Sequence, residues 1–331
     1  WNNAGLIQTN TVIPDCQRES AAPARTKKSR YTRGMRRREF VQSAALAAAL
    51  QMKADSAPAK GEVRNQQAGL AYRRLGRTGF LISEIVMGGN TIAPENHDHV
   101  LMAVDRGLNY LDTAPAYGKE NASEKGYAMV IKARGREKFF LNTKVSAFDL
   151  NRNRVYGEIF ASLDETEQKR LKTLARQEIE RRQADAPDYF NNYFDAQRGE
   201  LDEAALANVM APKYGPKVDR KKQYHDLVIE SVEASLKRLG TDYVDLLMCP
   251  HGANTPYEVE NHHEIFEAFA KLKKAGKARH LGLSSHTDPA GVLEAAVKTK
   301  QYSAAMIAFN FMNAPWTEKA VNELLAFPNG L

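Results

Sequence analysis

The sequence predicts an α/β fold, a (β/α)8 TIM barrel in which about six of the eight βα units are represented. Short apolar runs alternate with helical patterns, which is typical of parallel strands joined by crossover helices. No G-x-G-x-x-G turn follows the first strand, where an open dinucleotide-binding sheet would carry one, because residues 87–90 read MGGN. Charged or polar residues end three different strands, as reactive groups do in a barrel.

The barrel domain is expected at residues 71–331 and begins with a hairpin whose turn lies at 76–79. The expected strands are at 84–87, 109–112, 139–145, 243–248, 279–283 and 304–309. The expected helices are at 97–106, 123–133, 226–239, 264–274, 289–298 and 317–327. A complete barrel of about 250 residues uses roughly 31 residues per unit, so six units predict an incomplete barrel, truncated at its carboxyl end.

One connection is much longer than the others. Residues 147–222 contain no strand signal, only a charged helical stretch at 164–183 and an aromatic-rich loop at 188–195. Because this segment follows the third strand, it leaves the barrel at the carboxyl edge, and we interpret it as an inserted cap. Its aromatic residues would then cover a substrate; the alternative is a decoration or oligomer contact whose aromatics pack a small core of their own. These residues are Tyr189, Phe190, Tyr193 and Phe194.

Composition indicates a globular body with an unusual amino-terminal segment. Of 331 residues, 43% are hydrophobic, which is enough for a sizeable core. The net charge of +7 lies in residues 1–60, which hold 11 Lys or Arg and 4 Asp or Glu and leave 36 of each sign for the remainder. A neutral body argues against a nucleic-acid surface. The two cysteines predict no disulfide framework, and Cys249 is expected to be a small buried hydrophobe.

The amino-terminal segment has two parts. Residues 1–34 lack hydrophobic periodicity and are interpreted as a disordered leader or read-through. Residues 35–60 place Arg37-Arg38 before an apolar run that is shorter than the roughly 20 residues needed to span a bilayer. With Ala57-Pro58-Ala59 as a cleavage site, they resemble a twin-arginine export signal. Export machinery would then be a partner and the periplasm the location; if the leader has no function, the protein is cytoplasmic.

Four side chains carry the predicted chemistry. Asp112, Lys144 and His251 end three separate strands, and Tyr117 follows Asp112 by five residues. A buried acid needs a cationic partner, and Lys144 is the candidate. We expect a tyrosine facing this lysine to have a lowered pKa and to donate a proton to a substrate oxygen that His251 could orient. None of the four is a reductant or an activated nucleophile, so a cofactor is implied.

The motifs LDTAPAYG, NTKVS and LLMCPHGAN resemble those of the aldo-keto reductases. The resemblance continues through SVEASLKRLGTDYVDLL at 231–247 and KLKKAGKARHLGLSSH at 271–286, and it covers residues 71–146 and 223–331. It implies a (β/α)8 barrel on which Tyr117 is the general acid/base, Asp112 and Lys144 tune it, and His251 positions the carbonyl. It also implies hydride transfer from a nicotinamide cofactor, NADP(H) in preference to NAD(H), to an aldehyde or ketone.

The resemblance assigns five residues to cofactor binding: Gly89, Asn90, Asp112, Ser284 and Ser285. Ser284-Ser285 occupies the place of the family's Ser-Asn pair, and Met306 lies at or near an expected glutamine. A non-catalytic binding subunit and a barrel isomerase or lyase acting on sugars remain open alternatives. No metal site is predicted, because four histidines lack ligand spacing and are interpreted as surface residues, and His286 could face the barrel mouth. The four are His97, His99, His262 and His263.

Overall fold

The computed structural model of the chain describes residues 61–181, 198–253, 255–285 and 289–307. The chain divides into two units between Pro58 and Ala59, and all described residues belong to the second. The predicted leader and export signal, the aromatic loop at 188–195 and the last predicted helix therefore lie outside the described residues. Across the described ranges, no helix combines the length and apolarity that crossing a lipid bilayer requires.

A small three-stranded sheet precedes the barrel. Strands β2 (Tyr72–Leu75) and β3 (Phe80–Ser83) form the predicted antiparallel hairpin, and β1 (Glu62–Val63) pairs with β3 in parallel. Phe80 is buried, and its ring stacks on Phe140 with the ring centroids 4.3 Å apart. Since Phe140 begins a barrel strand, the hairpin closes the amino end of the barrel interior.

Six parallel strands form the main sheet and pair in chain order. They are β4 (Met87–Gly88), β5 (Tyr110–Asp112), β6 (Phe140–Lys144), β7 (Val244–His251), β8 (Ala278–Ser285) and β9 (Ala304–Ile307). Each overlaps a strand that the sequence predicts. Parallel pairing in chain order requires a crossover after every strand, which is the connectivity of a (β/α) barrel. The predicted fold class is therefore confirmed.

Helices cover the outer face of the sheet. The crossover helices are α1 (Asp98–Asp105), α2 (Ala122–Arg134), α6 (Leu227–Leu239), α8 (His263–Lys274) and α9 (Pro289–Thr299), and all five were predicted. In α8, Ile265, Ala268 and Leu272 are buried at helical spacing, so this helix presents an apolar stripe to the sheet. A short helix, α7 (Pro256–Glu260), follows β7 and begins at Thr255 with a capping box.

Alternate residues of the strands pack on opposite sides of the sheet. The outward side forms the main core with the helices and includes Leu111, Leu141 and Leu247. The inward side is filled by Phe80, Tyr110, Phe140, Leu246, Met248 and Ala304. Burying one such side chain contributes about 1.5–3 kcal/mol. Asp112, Asn142 and Lys144 continue the inward rows of Tyr110 and Phe140, so the interior becomes polar at the carboxyl edge.

A cluster of charged side chains joins the segment before the hairpin to the amino end of the barrel. Asp245 is fully buried, and its carboxylate contacts Arg64, Arg136 and Arg279 at 3.1, 2.7 and 2.7 Å. Arg64 also donates to the carbonyl oxygen of Phe139 at 2.7 Å. Since Arg64 precedes the hairpin and the other three residues belong to the barrel, the cluster joins the two parts.

The predicted insertion contains more helix than its sequence indicates. Helix α4 (Glu165–Arg181) matches the predicted stretch, whereas α3 (Phe148–Ala161) and α5 (Arg198–Tyr214) were not predicted. The last of these carries Pro212, which lowers helix propensity. The three helices share two small apolar cores. Packing between the helices therefore stabilises them even where the local sequence has a weak helical pattern. The cores are Ala175, Ile179, Leu201 and Ala205, and Tyr156, Leu171, Ala207, Met210 and Tyr214.

Candidate active site

Three neighbouring strands bring the predicted charged residues to one edge of the sheet. Asp112 ends β5, Lys144 ends β6 and His251 ends β7. In the register, Asp112 lies opposite Asn142, and Lys144 lies opposite Met248. The carboxyl ends of parallel strands meet at one edge, which explains how residues far apart in the sequence share one location.

Asp112 and Lys144 form a buried ion pair. Asp112 Oδ1 accepts hydrogen bonds from Lys144 Nζ and from Asn142 Nδ2, and Nζ also donates to the carbonyl oxygen of Thr113 at 3.0 Å. The Lys144 side chain is 1% exposed and that of Asp112 is 7% exposed. Burial raises the pKa of Asp112 and lowers the pKa of Lys144, and the attraction between the two charges opposes both shifts.

Tyr117 lies beside this pair. Lys144 Nζ is 4.4 Å from the centroid of the Tyr117 ring, and the His251 ring packs edge-on with its centroid 6.0 Å from that of Tyr117. Burial raises the pKa of the Tyr117 phenol, and the charge of Asp112 raises it further. The prediction that Lys144 lowers this pKa is therefore wrong, because the ammonium lies over the ring face and donates to Asp112 and Thr113. At neutral pH the phenol keeps its proton.

Sequence reasoning missed two further residues near the site. The His251 Nδ1 atom is 2.9 Å from Ser146 Oγ, which also accepts a hydrogen bond from the Ala116 amide at 3.4 Å. Asn142 is fully buried beside Asp112. Asn142 and Ser146 lie two residues before and after Lys144, and strand periodicity could have identified Asn142 as a neighbour on the same face.

The predicted cofactor residues have structural contacts of their own. Gly89 is buried, and a Cβ atom there would collide with the Asp112 carbonyl oxygen and with Ser123 Oγ, so only glycine permits this approach of the backbone. Asn90 is exposed. Ser284 Oγ accepts from the Gly252 amide at 3.1 Å, and Ser285 Oγ donates to the Ala253 carbonyl oxygen at 2.7 Å. Both serines thus hold the segment that follows His251.

The residues around Asp112 are chemically suited to a nicotinamide group. The side-chain amide oxygen of Asn142, Oδ1, is buried and has no hydrogen-bond partner among the described residues. An unsatisfied buried acceptor is costly, and a ligand that carries an N–H donor, as a carboxamide does, would satisfy it. Met306, which pairs with Ser284 in the register, places a thioether where the resemblance implies a glutamine.

The histidine interpretation needs one correction. His262 is 4% exposed and packs edge-on against Phe148 and Tyr224, with centroids 5.1 and 5.2 Å away, so it is not a surface residue. Burial lowers its pKa. His99 and His263 are exposed, and His97 is partly exposed. His286 lies outside the described residues. Cys249 is fully buried, as predicted. The described part of the chain contains no cluster of His, Cys, Asp or Glu that could hold a metal ion.

The chain folds as a (β/α) barrel with a buried Asp–Lys ion pair and a tyrosine at its carboxyl edge. Comparison with known families agrees, since the model of the Aldo/keto reductase family matches residues 84–207 and 188–329. The chain belongs to the aldo/keto reductase family. The chemistry of this family is carbonyl reduction that depends on NADH or NADPH.

Individual relatives are distant. Aldo-keto reductase AMT2 of Alternaria alternata is 30% identical over 227 residues, which are 65% of this chain and 49% of that protein. Oxidoreductase YdhF of Escherichia coli (strain K12) is 39% identical over 62 residues, 19% of this chain and 20% of that protein. The chain thus spans about half of the first curated relative and about a fifth of the second. A solved aldo-keto reductase from Pseudomonas aeruginosa is 20% identical, with 78% of this chain and 75% of that chain covered and a TM-score of 0.48.

Proposed function

We propose that this protein reduces the carbonyl group of a small aldehyde or ketone, with NADPH as hydride donor in preference to NADH. The observation that carries the proposal is the position of Tyr117. Its ring lies within 4.4 Å of Lys144 Nζ and edge-on to His251, at the edge where three strands deliver their polar ends. In this proposal, one small polar region is surrounded by the proton donor Tyr117, the Asp112–Lys144 ion pair and the His251 imidazole that orients the substrate.

Each side chain has a separate role in the proposal. When bound, a nicotinamide cofactor would supply the hydride that the carbonyl carbon receives. Tyr117, which burial keeps protonated, donates its proton to the carbonyl oxygen as negative charge develops there. Lys144, paired with Asp112, holds a positive charge 4.4 Å from the centroid of the Tyr117 ring, and solvent returns the proton to the phenol after each turnover. His251 hydrogen-bonds the same oxygen and orients it.

The proposed cofactor site combines five residues from the resemblance with one from the structure. Gly89 keeps the backbone close to β5, Asp112 pairs with Lys144, and Asn142 offers its unsatisfied side-chain oxygen, Oδ1, to the carboxamide. The remaining members are Asn90, Ser284 and Ser285. The preference for NADPH rests on the family resemblance alone.

The test follows the hydride. The full-length protein is incubated with an aromatic aldehyde such as 4-nitrobenzaldehyde and with NADPH deuterated at C4 of the nicotinamide, each face in turn. We expect aldehyde-dependent NADPH oxidation and deuterium at the carbinol carbon for one of the two faces. Turnover of sugars without nicotinamide would instead support an isomerase or lyase. NADPH binding without turnover of a panel of carbonyl compounds would support a non-catalytic binding subunit.

We also propose that residues 35–60 direct export, so that the barrel domain at 71–331 acts in the periplasm, with 147–222 as a cap inserted over it. Arg37-Arg38 and the apolar run that follows support this proposal. After cell fractionation, we expect the wild-type protein in the periplasm and the Arg37→Lys/Arg38→Lys variant in the cytoplasm. A wild-type protein found only in the cytoplasm would contradict export and leave the proposed chemistry intact.

A further inference from the structure

Ser146 connects the loop that carries Tyr117 to the end of strand β7, which carries His251. It follows β6 by two residues, and its hydroxyl oxygen lies 2.9 Å from His251 Nδ1. The same oxygen accepts a hydrogen bond from the Ala116 amide at 3.4 Å, one residue before Tyr117. One side chain from a third strand end therefore contacts both neighbours.

The Ser146 hydroxyl has one proton to donate and two lone pairs that accept. The Ala116 amide can only donate, so it occupies a lone pair of Ser146 Oγ. One lone pair and the hydroxyl proton remain, and His251 Nδ1 lies at hydrogen-bond distance from Oγ, so the hydroxyl can accept from one tautomer of His251 or donate to the other. A neutral imidazole that accepts at Nδ1 carries its own proton at Nε2.

We propose that Ser146 is a positioning residue that holds His251 as the Nε2–H tautomer. A carbonyl oxygen is only an acceptor, so His251 can orient it only with a nitrogen that bears a proton. The other tautomer would present a lone pair from Nε2 to the substrate oxygen and repel it. This consequence for substrate rests on the proposed function, whereas the tautomer itself is a property of the protein.

The tautomer is measured directly by NMR. The full chain is labelled with ¹⁵N-histidine, and the His251 signals are assigned by their loss in the His251→Gln variant. At a pH where the ring is neutral, we expect an unprotonated Nδ1 and a protonated Nε2 in the wild type, and a mixture of tautomers in Ser146→Ala. A protonated Nδ1 in the wild type, or an unchanged pattern in Ser146→Ala, overturns the proposal. This measurement does not depend on turnover.

Steady-state kinetics of Ser146 variants test whether the tautomer of His251 matters for carbonyl reduction. Removing one donor to a developing oxyanion typically costs about 10²–10³-fold in rate, and loosening it should cost somewhat less. We expect Ser146→Ala to lower kcat/KM for 4-nitrobenzaldehyde with NADPH at least about tenfold, and Ser146→Thr, which keeps a hydroxyl, to restore most of it. Ser162→Ala is the matched control, because that hydroxyl donates only to the Ile159 carbonyl oxygen, at 2.7 Å, on an exposed turn.

Two results would count against this consequence. If Ser146→Thr is as slow as Ser146→Ala, or if the two variants match the wild type, the hydroxyl does not position His251 for catalysis. A wild-type protein that reduces no carbonyl compound refutes the proposed function, and the NMR result then decides the tautomer by itself.

Discussion

Tyr117 keeps its proton for two reasons that lie in its immediate surroundings. Its side chain is partly buried, and the carboxylate of Asp112 disfavours a second negative charge nearby. Lys144, the cation that could oppose both effects, lies over the ring face and gives hydrogen bonds to Asp112 and the Thr113 carbonyl oxygen. The motifs predict that these side chains are neighbours. The orientation of Lys144 relative to the Tyr117 ring depends on tertiary packing, which the motifs do not predict.

The raised pKa of Tyr117 predicts a flat pH profile for carbonyl reduction. The active form of a proton donor is the protonated one, which is present below its pKa. Since that pKa lies above the usual value of about 10, Tyr117 stays protonated through pH 9. We expect kcat/KM for reduction to show no loss from this group between about pH 6 and 9. A decline with a midpoint near pH 7 or 8 that vanishes in Tyr117→Phe would contradict this.

Because Asp112 and Lys144 form a buried ion pair, we expect substitutions in the pair to affect stability and activity differently. Asp112→Asn leaves the Lys144 ammonium buried without a counter-ion, and breaking a buried pair in this way costs about 3–5 kcal/mol. The double variant Asp112→Asn/Lys144→Met removes both charges, so it should recover most of the free energy of unfolding while remaining inactive. Urea denaturation measures the free energy of unfolding of the single and the double variant. A single variant as stable as the wild type would show that the pair is not buried as described.

At the scale of whole elements, the sequence predicts those whose own pattern is strong. The barrel strands are short apolar runs between turn signals, and all six were identified, with differences mainly at their ends. Helices α3 and α5 were missed because their apolar residues do not form a clear stripe and Pro212 interrupts the second. Helix α5 packs on both α3 and α4, and it is distant in sequence from α3. The local periodicity of the sequence does not predict such contacts.

A buried polar network joins the insertion to the segment after His251. Arg152 of α3 and Glu258 of α7 form an ion pair at 2.5 Å, with side chains 1% and 0% exposed. Asn208 of α5 accepts from Arg152 at 2.9 Å and donates to Thr255 Oγ1 at 2.8 Å. The network therefore fixes both insertion helices to the amino end of α7, five residues beyond the strand that carries His251.

Arg152→Met should therefore destabilise the protein strongly. It leaves the Glu258 carboxylate buried without its arginine, at a cost of about 3–5 kcal/mol. The matched control is Arg154→Met on the same helix, whose pair with Glu158 is exposed and worth about 0–1 kcal/mol. Thermal unfolding of the two variants gives the comparison. Equal melting temperatures would mean that the buried network does not anchor the insertion.

For the molecule as a whole, buried acids alone do not identify the active site. Asp245 is as deeply buried as Asp112 and meets three arginines at the amino end of the barrel. Its position at the beginning of β7 marks it as structural, whereas Asp112 ends a strand. The sequence therefore predicts the candidate site from strand direction and motif order. It could not indicate Ser146, whose partners come from two other segments.

The lowered pKa values of two histidines, one buried and one partly buried, predict that the fold weakens in acid. Burial lowers the pKa of His262, and that of His280 to about 4, so the unfolded chain binds protons that the folded chain excludes. Their contribution to stability is complete above about pH 6.5 and is lost as the pH falls below it. His262→Phe should reduce the slope of the unfolding free energy between pH 6 and 5 by up to about 1.4 kcal/mol per pH unit. The exposed His263→Gln should leave the slope unchanged, and an unchanged slope in His262→Phe would contradict the account.

The central claim is that the Tyr117 hydroxyl delivers the proton during carbonyl reduction. The direct measurement is the single-turnover rate of NADPH oxidation by 4-nitrobenzaldehyde in the wild type, in Tyr117→Phe and in Tyr127→Phe, whose hydroxyl bonds the Met87 carbonyl oxygen at 3.2 Å. Loss of a general acid typically costs about 10²–10⁴-fold. We expect a loss of this size in Tyr117→Phe and nearly wild-type rates in Tyr127→Phe. Equal rates in the wild type and Tyr117→Phe would contradict the claim.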